Sequence, residues 1–119
     1  MDPKVYKRGS RGYYMGMSRR QRIIELLIET DVPLSPEDIA RILKIDAKTV
    51  RRDLEHIRFS IQRKGMRLVI IPQRCKKCGF VFKPSVHEAS KCPRCHSQWL
   101  EPPRFRIVKM GGHKAAKSE

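Results

Sequence analysis

Four cysteines, arranged as Cys75-x2-Cys78 and Cys92-x2-Cys95 with thirteen residues between the pairs, are the residues whose type and spacing can do chemistry. Two C-x2-C knuckles can bring four thiolates to the corners of a tetrahedron, the geometry that holds a structural zinc ion. The spacer is a little shorter than is usual for this pattern, yet long enough for a ribbon of two or three short strands. The chain has no other cysteine, so none is left over. Gly79 follows the first knuckle, where a backbone N–H must turn toward a thiolate, and Pro93 stiffens the second. Three chemistries share these ligands. One is a single structural zinc. The second is a rubredoxin-like iron centre, which thiolate softness does not separate from zinc. The third is disulfide or thioredoxin-type exchange. Spacing favours zinc. His87 and His96 are nearby nitrogen donors, but four thiolates already fill a tetrahedron, so both read as surface histidines.

Catalysis is not expected. The sequence shows no Ser/His/Asp set, phosphate loop or paired-acid motif, and a four-thiolate site leaves no coordination position for water.

The elements that must position the cysteines come from a chain of 119 residues, enough for one domain or two very small ones. A unit this small is short of core, and a metal clamp offsets that. The net charge of +15 and pI near 10.3 point to a polyanionic partner: DNA, RNA or an anionic surface. No apolar run approaches membrane-spanning length and no signal peptide is evident, so a cytoplasmic protein with reduced thiols and no membrane partner is expected. The absence of asparagine, with four glutamines and 33% charged residues, hints at a source living in heat.

Residues 1–17 read as a basic flexible arm, with Lys4, Lys7, Arg8 and Arg11 against Asp2 and with three interleaved tyrosines. Three helices follow. Ser18-x-x-Gln21 forms a capping box for the first, whose apolar face is Ile23, Ile24, Leu26, Leu27 and Ile28. Ser35 caps the second, with Pro36 at its first position and Glu37 and Asp38 in its first turn. After the tight turn at Lys44-Ile45, Asp46 caps the third. At 100° per residue, Val50, Leu54, Ile57 and Ile61 share one narrow face, and Gly65 ends the helix. Lys48, Arg51, Arg52 and Glu55 project from the other side. Phe59 falls opposite the apolar stripe. It either marks the end of the helix, packs on helix 1, or belongs to a partner surface such as a homodimer contact.

A helix, a tight turn and a second helix with a basic outer face form a helix-turn-helix, and its last helix can enter a major groove. Lys48, Thr49, Arg51 and Arg52 are the expected nucleic-acid contacts, because an arginine fork suits both guanine edges and phosphates. The run from Leu43 to Leu54, L-K-I-D-A-K-T-V-R-R-D-L, resembles the DeoR-like winged-helix regulators. Those commonly have a glycine in the turn and a serine cap, where this chain has Lys44 and Asp46. Over residues 18–110 the chain resembles a small archaeal family of predicted transcription regulators that join a winged helix-turn-helix to a rubredoxin-like zinc ribbon. C-K-K-C-G-F and C-P-R-C-H-S-Q-W-L-E-P-P-R-F-R-I carry this likeness most specifically. The family usually has glycine after the second knuckle, where this chain has His96. The resemblance implies a DNA-binding role.

The expected fold class is therefore α+β: three helices and a two-stranded antiparallel wing. A winged helix needs two strands after helix 3. Residues 66–74 make the first, and the next long enough to pair with it is 104–109, beyond the cysteines. A ribbon inserted within the wing gives 66–74 a partner strand, where the alternative, a tandem ribbon on a linker, would leave it unpaired. The expected boundaries are 18–74 for the winged helix-turn-helix with its first wing strand, 75–101 for the zinc ribbon, 102–110 for the second wing strand and 111–119 for a loose tail. Phe80, Phe82 and Trp99 are expected to pack inside the ribbon, because so small a module needs every large apolar group. The expected function is regulation of transcription by binding double-stranded DNA. The alternatives are an RNA- or ribonucleoprotein-binding ribbon and a rubredoxin-like iron protein.

Overall fold

The computed structural model describes residues 16–110. The tail 111–119 and all but the last two residues of the expected arm lie outside that range. Three helices come first: α1 (Arg19–Glu29), α2 (Pro36–Leu43) and α3 (Ala47–Ser60). A 3₁₀ turn, Ile61–Lys64, leads into β1 (Met66–Ile71), β2 (Arg74–Cys75), β3 (Leu100–Glu101) and β4 (Arg104–Lys109). Among the described residues no helix is long and apolar enough to cross a membrane.

Each helix starts where a side chain satisfies its free N–H groups. Ser18 Oγ accepts from the Gln21 N–H at 3.1 Å. The Gln21 side chain does not return to the cap, because it donates to Glu25 instead, so the expected box is one-sided. At α2 the box is reciprocal between Ser35 and Asp38, with Pro36 just inside. At α3 the carboxylate of Asp46 accepts from Lys48 and Thr49. The turn between α2 and α3 closes on Lys44, which adopts the left-handed conformation (φ 58°) that glycine usually supplies.

The sheet β1–β4 is antiparallel, pairing Met66 with Lys109 through Ile71 with Arg104. The four-cysteine segment thus lies between two paired strands. On the far side of β4, Leu34 exchanges backbone hydrogen bonds with Phe105, at 2.9 and 2.8 Å. Leu68, Phe105 and Ile107 face the helices and complete a core with Ile23, Leu26, Leu27, Ile39, Val50, Leu54, Ile57 and Ile61. The strand expected over 66–74 ends at Ile71, because Pro72 has no N–H to continue the ladder. Arg74 and Cys75 turn into a second sheet with Leu100 and Glu101. Pro102 and Pro103 punctuate the return to β4 in the same way.

Helix α3 runs past Phe59 and changes to 3₁₀ geometry at Ile61 before Gly65 (φ 74°) ends it. Phe59 therefore does not mark the helix end. At 62% exposure it does not pack on α1 either, and its ring lies beside the guanidinium of Arg58.

Candidate metal centre and nucleic-acid interface

The two knuckles are built alike. In each, the first cysteine is buried and its sulfur accepts two backbone N–H groups: Cys75 Sγ from Lys77 and Cys78, both at 3.4 Å, and Cys92 Sγ from Arg94 at 3.3 Å and Cys95 at 3.5 Å. The residue after each second cysteine donates to the carbonyl of the first: Gly79 to Cys75 and His96 to Cys92. Both positions need a left-handed backbone, φ 82° at Gly79 and 63° at His96. His96 thus takes up the geometry of a glycine at some cost in strain.

The four sulfurs lie within 4.8 Å of one another. Cys75 and Cys95 sulfurs are 3.6 Å apart, as are those of Cys78 and Cys92. A tetrahedral site with metal–sulfur bonds of about 2.3 Å has sulfur–sulfur edges of roughly 3.8 Å, so the residues present fit one metal ion. Three of the thiols are pushed in different directions by their surroundings. The Cys78 N–H bond, against burial and helped by that of Lys77, lowers the Cys75 thiol to about 6. At Cys92 burial is outweighed by the N–H bonds of Cys95 and Arg94, and its thiol is lowered too. At Cys95 the Ser97 N–H is outweighed by burial and the neighbouring sulfurs, and the thiol rises to about 11. Four adjacent thiolates repel one another, and a cation is what lets all four ionise.

The loop between the knuckles does not project into solvent. Val86 is 2% exposed and belongs to the helical core. Gln73 holds the loop from behind: its side chain accepts from the Ala89 N–H at 2.8 Å and donates to the Ala89 carbonyl at 3.4 Å. The same loop reaches α3. Arg51 Nε donates to Glu88 at 2.8 Å, and the Arg51 guanidinium also pairs with Glu37 of α2. His87 Nε2 lies 3.0 Å from a carboxylate oxygen of Glu55. The ribbon is thus docked on the side of α3 that carries Arg51 and Glu55.

This docking separates the four expected nucleic-acid contacts. Lys48 and Arg52 are exposed, and neither takes part in a salt bridge among the described residues. Thr49 is half-buried, with its N–H capped by Asp46. Arg51 joins α2, α3 and the ribbon. Sequence reasoning missed its two carboxylate partners, which are 14 and 37 residues away.

Asp53 was missed as well. It is 0% exposed and accepts from Arg19 Nε at 2.5 Å, Arg19 Nη2 at 2.9 Å and Arg20 Nε at 2.9 Å. Burial raises its pKa, but the hydrogen bonds from Arg19 and then Arg20 outweigh burial and hold it below the ordinary carboxylate range. Its position one residue before Leu54, on the border of the apolar stripe, was the available signal.

The expected packing of Trp99 inside the ribbon is overturned, because the ring is 62% exposed. Phe80 and Phe82 are half-buried and meet edge to face at 5.1 Å. The ribbon needs less filling than its size suggests, since it leans on the helical core through Val86.

With this geometry in hand, comparisons with known proteins give a consistent picture. Residues 18–69 match the family model described as PF0610-like, N-terminal. Residues 72–110 match the PF0610 rubredoxin-like zinc beta-ribbon domain. No curated protein matches the chain. Among solved structures, the solution NMR structure of protein PF0610 from Pyrococcus furiosus is similar, with 44% sequence identity and a TM-score of 0.69. The match covers 79% of this chain and 91% of that one.

Proposed function

The chain belongs to the family of PF0610-like proteins, and from that premise we propose that it is a winged-helix regulator of transcription that binds double-stranded DNA. Helix α3 is the recognition helix, β1–β4 is the wing, and one zinc ion held by Cys75, Cys78, Cys92 and Cys95 shapes the ribbon without doing chemistry. The observation that carries this reading is the corner formed by α2, Lys44 and α3. It leaves Lys48 and Arg52 exposed on the outer side of α3, in no salt bridge among the described residues. The wing supports it. Strand pairs put Arg67, Arg104 and Arg106 on the face of β1–β4 turned away from the core, and neither strand contains an acid. Arg51 positions the ribbon and holds α2 against α3, so Lys48 and Arg52 carry the direct contacts. The zinc has four thiolates and no open position, which suits a scaffold and not a catalyst.

The test is binding to duplex DNA and to single-stranded RNA across a salt series. Contact with about six phosphates lowers log K by roughly five per decade of salt. Lys48→Ala/Arg52→Ala is expected to weaken duplex binding and to reduce that slope by about two. A double variant that binds duplex as the wild type does, or a wild type that prefers RNA, would overturn the reading. Purified protein is expected to be colourless with one zinc per chain; a red protein containing iron would replace the metal assignment.

A further inference from the structure

The ribbon carries a second surface that α3 and the wing do not use. Trp99 is the only tryptophan in the chain, and its ring is among the most exposed apolar groups in the described structure. An exposed ring on a floppy loop would mean little, but Trp99 is held. Its backbone N–H donates to Ser97 Oγ at 3.0 Å, and its backbone carbonyl accepts from the Lys76 backbone N–H at 2.9 Å. The residue after it enters β3. Lys76 places its ammonium 5.8 Å from the ring centroid. The result is an exposed aromatic ring on a pinned backbone, with a cation over one face.

The charge of the ribbon segment is one-sided. Residues 72–101 contain six cations (Arg74, Lys76, Lys77, Lys83, Lys91 and Arg94) and two acids, Glu88 and Glu101, a net of +4. Both acids are engaged internally, Glu88 with Arg51 and Glu101 with Arg74. The ribbon as a whole is therefore cationic, and the cation at the ring itself is Lys76.

We propose that Trp99 and Lys76 form a binding site for single-stranded nucleic acid, in which an unpaired base stacks on the indole and the adjoining phosphate meets the Lys76 ammonium. Held aromatic plates with neighbouring cations bind single strands in this way. Duplex DNA does not satisfy the site, because its base faces are already stacked on one another. An acidic peptide would satisfy the charge and leave the ring without a planar partner. The site is separate from the duplex-binding face and is occupied by a different form of nucleic acid. Together the two surfaces suit a duplex flanked by unpaired bases.

Because the chain has one tryptophan, its intrinsic fluorescence reports on this site directly. Titration with a short single-stranded oligothymidylate at low salt is expected to quench it, and an abasic strand with the same number of phosphates is expected to leave it nearly unchanged. Anisotropy of the labelled oligothymidylate is expected to show a loss on the order of 10-fold for Trp99→Ala and retention of most affinity for Trp99→Phe. Duplex affinity of Trp99→Ala is expected to equal that of the wild type, so failure here is distinguishable from failure of the duplex reading. The proposal is overturned by absent quenching, by equal binding of the abasic strand, or by equal strand affinity of Trp99→Ala. A fall of many degrees in the thermal midpoint of Trp99→Ala would also overturn it, since the ring would then be structural.

Discussion

Asp53 is a carboxylate with no exposed surface, held by two arginines whose own side chains are nearly half exposed. Removing its charge leaves Arg19 and Arg20 able to return to water, so Asp53→Asn is expected to cost about 2 kcal/mol, less than the roughly 3–5 kcal/mol for breaking a fully buried pair. Because the folded carboxyl titrates below its unfolded value of about 3.9, this contribution is present in full above about pH 5. It is lost as the pH falls through 4 toward the folded value. Thermal unfolding measured from pH 7 down to pH 3 should show wild type and Asp53→Asn converging in acid. Lys44 carries the opposite lesson. A lysine at φ 58° is strained, and its side chain is exposed, so Lys44→Gly should raise stability by about 0.5–1 kcal/mol in denaturant melts. The family resemblance marked Lys44 and His96 as standing at usual glycine positions, and the structure shows both to be left-handed. The partners of Asp53 were not, because nothing local in a helix records an arginine 34 residues away.

The caps, the tight corner between α2 and α3, and the pairing of the strand expected over 66–74 with 104–109 could be read from side-chain type and periodicity, although the first strand stops at Ile71. The docking of the ribbon loop on α3 could not be read. It depends on Val86 entering a core made by other elements and on Arg51 meeting Glu88 across 37 residues. The same contact explains the error over Trp99: a module judged alone looked too small to leave its largest ring outside. Glu88→Gln weakens one half of the clamp without changing the shape of the loop. Amide exchange at residues 86–89 is expected to rise about 10-fold, with the core of α1 unaffected. Unchanged protection in that loop would show that Val86 and Gln73 hold it unaided. Arg51→Ala should loosen the same loop, so any loss of DNA affinity in that variant is to be compared with Lys48→Ala/Arg52→Ala before Arg51 is given a contact of its own.

In the whole molecule two cores of different kinds share one chain, an apolar one under the helices and a sulfur one in the ribbon. Removing the metal with a strong chelator should affect them unequally. Residues 73–101 are expected to lose exchange protection, while the helical signal in circular dichroism stays largely intact, because α1–α3 pack on β1–β4 without using the ion. Loss of the helical signal at the same chelator concentration would make the metal a keystone for the entire fold. The prolines at 72, 102 and 103 mark where the ribbon leaves and rejoins the sheet. A module entered and left through paired strands has two covalent anchors where a tandem domain has one. Its distance from α3 is fixed by geometry, where a linker would set it by chain statistics. A ligand long enough to touch both meets a caliper: its affinity should change sharply with the spacing of its two contact points, and a single proteolytic cut in the ribbon would leave both jaws attached.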